Sequence, residues 1–153
     1  MNVRGGMGSP ASLRRWSGGV AQLDVLVAVA LGGALGATAR HELAVALPTA
    51  PGRYPWATFW INVAGSFLLG FLLVLLLERF PPTRYVRPFL GSGLLGALTT
   101  MSTFLVEAAV LIKDGHVATA LLYVLGSVAA GLAVASAGIS AARRIPIRQR
   151  EAA

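Results

Sequence analysis

The sequence predicts an all-α integral membrane protein, and three observations support this fold class. Only 12% of the 153 residues are charged and 56% are hydrophobic, whereas soluble domains carry roughly 25% charged residues. Apolar runs of about 20 residues recur, which is the length a helix needs to cross about 30 Å of hydrocarbon. Lys and Arg lie mainly in the tails and between these runs, as expected of membrane proteins.

Hydropathy divides the chain into four predicted transmembrane helices with short connections. They cover about residues 23–47, 56–77, 88–112 and 117–142. We expect one domain over residues 21–142, a basic disordered tail over 1–20 and a basic C-terminal tail over 143–153. A signal peptide is the alternative interpretation of the first segment, but the apolar run that follows continues too far for one.

The basic residues predict the orientation. An even number of spans puts both tails on one side, and ten Lys and Arg residues lie on that side against three on the other. This bias favours tails in the cytoplasm and a multi-pass protein of the cell membrane. The formal charge of +7 therefore indicates topology and lipid headgroup contacts rather than nucleic acid. The chain has no cysteine, which excludes disulfides and thiolate metal sites.

Small residues in the first and fourth spans predict close helix packing. Gly32 and Gly36 form one GxxxG face, and Ser127, Gly131 and Ala135 form another face at the same spacing. Such faces let two helix backbones approach each other. Packing alone explains them, so they indicate no function.

Polar residues in the second and fourth spans are more informative. Thr58, Asn62 and Ser66 recur every four residues and share one helix face, as do Tyr123 and Ser127. A buried carboxamide such as that of Asn62 costs several kcal/mol unless it finds partners. Each residue alone fits interhelical hydrogen bonding, but two polar stripes beside a broken helix favour a permeation path.

The third span is predicted to break. Gly93 and Gly96 permit the backbone to turn, and hydroxyls that can form local hydrogen bonds follow in Thr99, Thr100, Ser102 and Thr103. Carbonyls freed by a break in the membrane must be satisfied. Two interpretations remain open: coordination of a hard cation, or a kink capped by Thr and Ser.

Four segments together resemble the small bacterial fluoride channels, the Fluc or CrcB family. They are "GGALGATARH" (residues 32–41), "NVAGSFLLGF" (62–71), "GLLGALTTMSTFLVE" (93–107) and the stretch 123–131. The segments occur in family order, one in each predicted span. The tails lie outside the resemblance.

The resemblance implies an antiparallel, dual-topology-type dimer of four-helix subunits, which exports fluoride through two pores at the subunit interface. A structural Na+ would be held by the main-chain carbonyls of Gly96 and Thr99. The pore residues carried over are Asn62, Met101, Phe104, Tyr123 and Ser127, with Arg40 in the vestibule and Glu107 at an exit or gate. Further polar residues expected to face the pore are Thr58, Ser66, Ser102 and Thr103.

Two residues depart from the family pattern. Met101 stands where the family has a phenylalanine, and Gly131 stands where it usually has a hydroxyl residue. A bias of ten basic residues against three is also large for a protein that inserts in both orientations. The partner is therefore either a second copy or an oppositely oriented homologue that supplies the missing groups.

Three other classes of protein fit the sequence less well. A small multidrug exporter needs an acid within its first span, whereas Asp24 lies at the edge of that span and Glu107 follows the break. A non-conducting partner subunit of a heterodimeric channel is a second alternative. An enzyme is not expected, because His41 and His116 both lie near span ends and no acid–base set converges with them.

Overall fold

The computed structural model describes residues 18–79 and 84–145, with side chains described for 22–78 and 84–145. Helix α1 is Gly18–Ala46, α2 is Trp56–Val74 with a π-helical end at Leu75–Arg79, and α5 is Val117–Arg143. The third span consists of α3, a π-helical segment Pro88–Leu95 continued by Gly96–Leu98, and α4, Met101–Lys113. Residues 1–17 and 146–153, which hold most of both predicted tails, lie outside the described residues.

Four stretches are long and apolar enough to cross a membrane, so the chain is a multi-pass membrane protein. They are Gln22–Ala46, Trp56–Glu78, Pro88–Lys113 and Val117–Arg143. The predicted boundaries of the last three agree within one residue. Few residues of the first and fourth spans are buried within the chain, 11% of the most apolar 18-residue stretch of each, so most of their surface is left to face lipid or another subunit.

Helix α1 packs on α3 through the predicted glycine face. A Cβ built at Gly32 would overlap the carbonyl oxygen of Phe89, and one at Gly36 would overlap the carbonyl oxygen of Leu94. From the opposite side, a Cβ at Gly93 would lie 2.6 Å from the Val29 oxygen. The two backbones are therefore in direct contact, and only glycine fits at these three positions.

Helix α2 packs on α5 through two glycines that were not predicted to be contact residues. A Cβ at Gly70 would lie 2.5 Å from the carbonyl oxygen of Ala135, and one at Gly138 would overlap the oxygen of Phe67. The predicted small-residue face of α5 borders α2 as well: Ala135 lies against Gly70, and a Cβ at Gly131 would meet the Ser66 hydroxyl at 3.5 Å.

The third span breaks at Thr99 and Thr100. Both residues are extended, with φ −75° and ψ 150° for Thr99 and φ −144° and ψ 124° for Thr100. The break itself was predicted, but the predicted role of the glycines was wrong. Gly96 is helical, with φ −63° and ψ −32°, and Gly93 is a packing residue against α1. The turn therefore occurs at threonines whose groups form new hydrogen bonds, rather than at a flexible glycine.

Candidate functional site

A cavity of about 390 Å³ opens beside the break in the third span. It lies between α2, the broken segment, α4 and α5. Its lining combines polar groups from the two predicted stripes with apolar walls. The residues are Asn62, Ser66, Leu69, Thr99, Thr100, Met101, Phe104, Ser127, Val128, Gly131, Leu132 and Ala135.

Asn62 holds the broken segment from α2. Its Nδ2 donates to the carbonyl oxygen of Thr100 at 3.0 Å, and its Oδ1 accepts from the Thr100 N–H at 2.9 Å. The side-chain amide thus satisfies both main-chain groups of a residue that has left the helix. A carboxamide nitrogen carries two N–H groups, so a second donor remains on the cavity wall.

Thr100 also caps α4. Its Oγ1 accepts from the Thr103 N–H at 3.2 Å and donates to the Thr103 hydroxyl at 3.0 Å, and the Ser102 hydroxyl lies 3.3 Å away. Ser102 and Thr103 are therefore placed at the cap, outside the cavity lining. Thr100 was missed as a site residue, because its importance depends on Asn62, which is 38 positions away.

At the break, two main-chain carbonyls do not receive the N–H groups that they would bind in a continuous helix. In a continuous α-helix the carbonyl of Gly96 would accept from Thr100, and that of Thr99 from Thr103. Here those N–H groups are donated to Asn62 and to the Thr100 hydroxyl instead. Gly96 and Thr99 therefore present carbonyl oxygens that are available to another ligand.

The Met101 and Phe104 side chains line the same cavity but differ in environment. Phe104 is buried, with its ring centroid 4.9 Å from that of Tyr123 at an interplanar angle of 56°. Met101 is 68% exposed at the first turn of α4. The aromatic ring is fixed within the subunit, whereas the thioether lies on its outer surface.

Ser127 contributes an unsatisfied hydroxyl to the cavity. Its Oγ is buried and has no hydrogen-bond partner among the described residues. Gly131 lies on the same wall, and Ser66 faces it from α2. A buried hydroxyl usually has a hydrogen-bond partner, so Ser127 is a candidate to bind an occupant of the cavity.

Glu107 is held within the helical bundle by two hydroxyl groups. Thr58 donates to Oε1 at 2.9 Å and Tyr123 donates to Oε2 at 2.7 Å. Tyr123 and Thr58 are both buried, and none of the three residues lines the cavity. The structure thus separates the predicted stripes: Asn62, Ser66 and Ser127 lie on the cavity, whereas Thr58 and Tyr123 bind a carboxylate.

Arg40 lies half-buried on α1 and is not part of the cavity lining. Within residues 18–79 and 84–145, no three His, Cys, Asp or Glu side chains are grouped to hold a metal ion.

Comparison with known proteins identifies the family. The family described as "CrcB-like protein, Camphor Resistance (CrcB)" matches residues 27–139, which include every cavity residue. The chain belongs to the CrcB family. The match covers the four spans and confirms the resemblance deduced from the motifs.

Curated relatives of this CrcB protein are similar over most of its length. It is 51% identical over 119 residues to Fluoride-specific ion channel FluC 3 of Streptomyces avermitilis, covering 78% of this chain and 58% of that protein. It is 42% identical over 145 residues to FluC 2 of the same organism, covering 95% and 92% of the two chains. FluC 1 of Mycobacterium bovis is 47% identical over 125 residues, covering 81% and 94%.

Proposed function

We propose that this CrcB protein is a subunit of a fluoride-selective channel that lets fluoride leave the cell. Support comes from relatives named fluoride-specific ion channels, and from one structural observation: the unpartnered Ser127 hydroxyl in a cavity beside a helix break. Ion channels catalyse no covalent chemistry, so the protein is not an enzyme.

The cavity chemistry suits a small, strongly hydrated anion. Fluoride must exchange its water for directed donors, and those donors must be neutral enough to release it. Ser127 Oγ–H and the second N–H of Asn62 are such donors, and the Ser66 hydroxyl opposite Gly131 adds a third donor. The ring edge of Phe104 carries partial positive charge and lines the same space. Chloride is larger and more weakly hydrated, so it gains less from these groups.

The proposed roles of the other predicted residues follow their positions. Tyr123 acts within the subunit by binding Glu107 and packing on Phe104, so it fixes the ring beside the ion path. Arg40 lies outside the cavity and would raise the anion concentration near an entrance. Ser102 and Thr103 maintain the cap of α4 with Thr100.

A structural Na+ fits the break. The oxygens of Gly96 and Thr99 lack helical donors, and carbonyl oxygens are the ligands a hard cation prefers. Two oxygens are too few for a full shell, so a second subunit would contribute an equivalent pair. The bound ion would supply a fixed positive charge and join the subunits.

The proposed assembly is a dimer of oppositely oriented subunits. Met101 lines the cavity and is 68% exposed, so one chain does not enclose a pore. Large apolar side chains are also exposed along α4 and α5, including Leu105, Val106, Leu122 and Leu125. A partner would close the path and bury part of this surface. The tails are proposed to be cytoplasmic, from the distribution of Lys and Arg.

The partner is either a second copy or a homologue. Met101 and Gly131 favour a second candidate function, a poorly conducting subunit whose partner supplies the missing aromatic and hydroxyl groups. The exporter alternative is weakened, because Asp24 binds Arg84 and Tyr85 at the end of the bundle. The Asp24 carboxylate therefore binds partners outside the cavity.

Fluoride efflux from liposomes tests the proposal, measured with an ion-selective electrode. Reconstitute the chain alone, then together with a homologous subunit of opposite charge bias. Efflux by the chain alone indicates a homodimeric channel, and efflux only with the partner indicates a heterodimer. If fluoride stays trapped in both preparations, the channel proposal is wrong.

A further inference from the structure

A second cavity of about 320 Å³ lies between the end of α2 and the start of α3. Its walls are mainly leucine, and its polar residues are Arg87 and Ser92. The leucines are Leu69, Leu72, Leu73, Leu76, Leu77 and Leu95, with Gly91 completing the surface. Leu73 and Leu77 are about half exposed, at 49% and 57%, so the cavity is a groove on the outside of the subunit.

Arg87 is the unusual member of this groove. Its Nε is buried and has no hydrogen-bond partner among the described residues. Neighbouring arginines are already neutralised: Arg84 binds Asp24 at 2.7 Å, and Arg143 binds Glu78 at 3.0 Å. A buried guanidinium donor without an acceptor is unfavourable, which indicates that a ligand with an anionic oxygen completes the site.

The charge around the groove is positive. Among the side chains described at this end of the bundle, four are cationic (Arg84, Arg87, Arg143 and Arg144) and two are anionic (Asp24 and Glu78). A net positive end at the membrane surface attracts anionic lipid, and basic pockets between transmembrane helices bind lipid headgroups.

We propose that this groove binds an anionic phospholipid. The phosphate accepts hydrogen bonds from the Arg87 guanidinium and the Ser92 hydroxyl, and an acyl chain lies along the leucines of α2. Free phosphate would contact only Arg87 and Ser92 and leave the apolar walls unused. The lipid satisfies both parts of the groove, its cation and its hydrocarbon surface.

The test measures bound lipid on the full-length protein by native mass spectrometry. Present an equimolar mixture of phosphatidylglycerol and phosphatidylcholine in detergent. The wild type is expected to retain phosphatidylglycerol preferentially. Arg87→Gln should weaken its retention about fivefold, the effect expected for one arginine at a lipid surface. Arg144→Gln removes an exposed charge that does not line the groove and should have little effect.

A second variant tests the acyl part of the groove while Arg87 is retained. A Cβ at Gly91 meets no atom within 4 Å, so Gly91→Leu is accommodated by the fold and its side chain fills the groove. Phosphatidylglycerol retention should fall as much as in Arg87→Gln.

Four results would overturn the proposal. Equal losses in Arg87→Gln and Arg144→Gln would reduce the effect to general surface charge. Equal retention of the two lipids would remove the charge preference. Displacement of lipid by equimolar inorganic phosphate would indicate a simple anion site. A change in the dimer fraction of Gly91→Leu with unchanged lipid retention would assign the groove to a subunit interface.

Discussion

The Asn62 side chain forms two hydrogen bonds with the main chain of Thr100, and these replace the helical hydrogen bonds that are lost at the break. The carboxamide donates to the Thr100 carbonyl at 3.0 Å and accepts from its N–H at 2.9 Å. Because the Thr100 N–H is occupied in this way, the Gly96 carbonyl loses its helical donor. One side chain from α2 thus stabilises the break and frees one of the two carbonyl oxygens proposed to bind Na+.

Asn62→Ala should therefore reduce both stability and fluoride flux. Removal of the carboxamide leaves two buried main-chain groups of Thr100 unpaired, at a cost of about 1–3 kcal/mol each. The midpoint of thermal unfolding should fall, and fluoride efflux should drop at least about tenfold, the change that 1.4 kcal/mol produces. Ser136→Ala is the control, since the Ser136 hydroxyl lies on an exposed face and donates to the Leu132 carbonyl of its own helix. Wild-type stability in Asn62→Ala would contradict the role of this pair.

Gly131→Ser should increase fluoride flux. A Cβ at this position lies 3.5 Å from Ser66 Oγ, which is an ordinary contact, so serine fits and adds a hydroxyl to the cavity wall. Ser66→Ala should have the opposite effect, because it removes the hydroxyl on the facing wall. Efflux rates of the two variants provide the comparison. A flux that is unchanged by both would place the ion path elsewhere.

Tyr123→Phe should destabilise the fold by about 1.5–3 kcal/mol, the range for a hydrogen bond to a charged group. The variant keeps the ring against Phe104 but removes the donor to Glu107 at 2.7 Å. Tyr54→Phe is the matched control. The Tyr54 ring lies 5.2 Å from that of Tyr123, and the Tyr54 hydroxyl makes no hydrogen bond to Glu107. Denaturant unfolding in detergent measures both. Similar losses of unfolding free energy in the two variants would show that the hydrogen bond between Tyr123 and Glu107 does not stabilise the fold.

Gly36→Ala should weaken the packing of α1 on α3, whereas Gly33→Ala should not. The two glycines are three positions apart, yet a Cβ at Gly36 overlaps the Leu94 oxygen and one at Gly33 meets nothing within 4 Å. Overpacking against a rigid backbone costs about 1–3 kcal/mol. Thermal unfolding of the two variants checks this, and equal midpoints would contradict the observed contact.

The number and order of the spans, and the ends of the last three, could be predicted, because hydropathy and span length report directly on burial in lipid. Helix α1 begins at Gly18, about five residues before the predicted start of its span. The second span was expected at 56–77 and is found at Trp56–Glu78. Packing of Gly32 and Gly36 was also predictable from their spacing. It could not be predicted that Ser127 and Gly131 line a cavity, since spacing alone does not distinguish a helix contact from a cavity wall.

The break shows why the remainder of the site could not be predicted from the sequence. Glycine serves either flexibility or close approach, and only the neighbouring backbone decides between them. At Gly93 that neighbour is Val29 on α1, so the glycine remains helical. The pairing of Asn62 with Thr100 and of Glu107 with Thr58 likewise depends on contacts between distant segments, which no local pattern records.

The most direct test of fluoride passage through the cavity is the electrode measurement of fluoride efflux for the wild type and Ser127→Ala, in the subunit pairing that conducts. Ser127 Oγ has no hydrogen-bond partner within the described part of the chain, so its removal should leave the thermal midpoint unchanged or raised. We predict that wild-type vesicles release fluoride but retain chloride, and that Ser127→Ala slows fluoride release several-fold. Equal release of the two anions, or an unchanged fluoride rate in Ser127→Ala, would contradict a path lined by this hydroxyl.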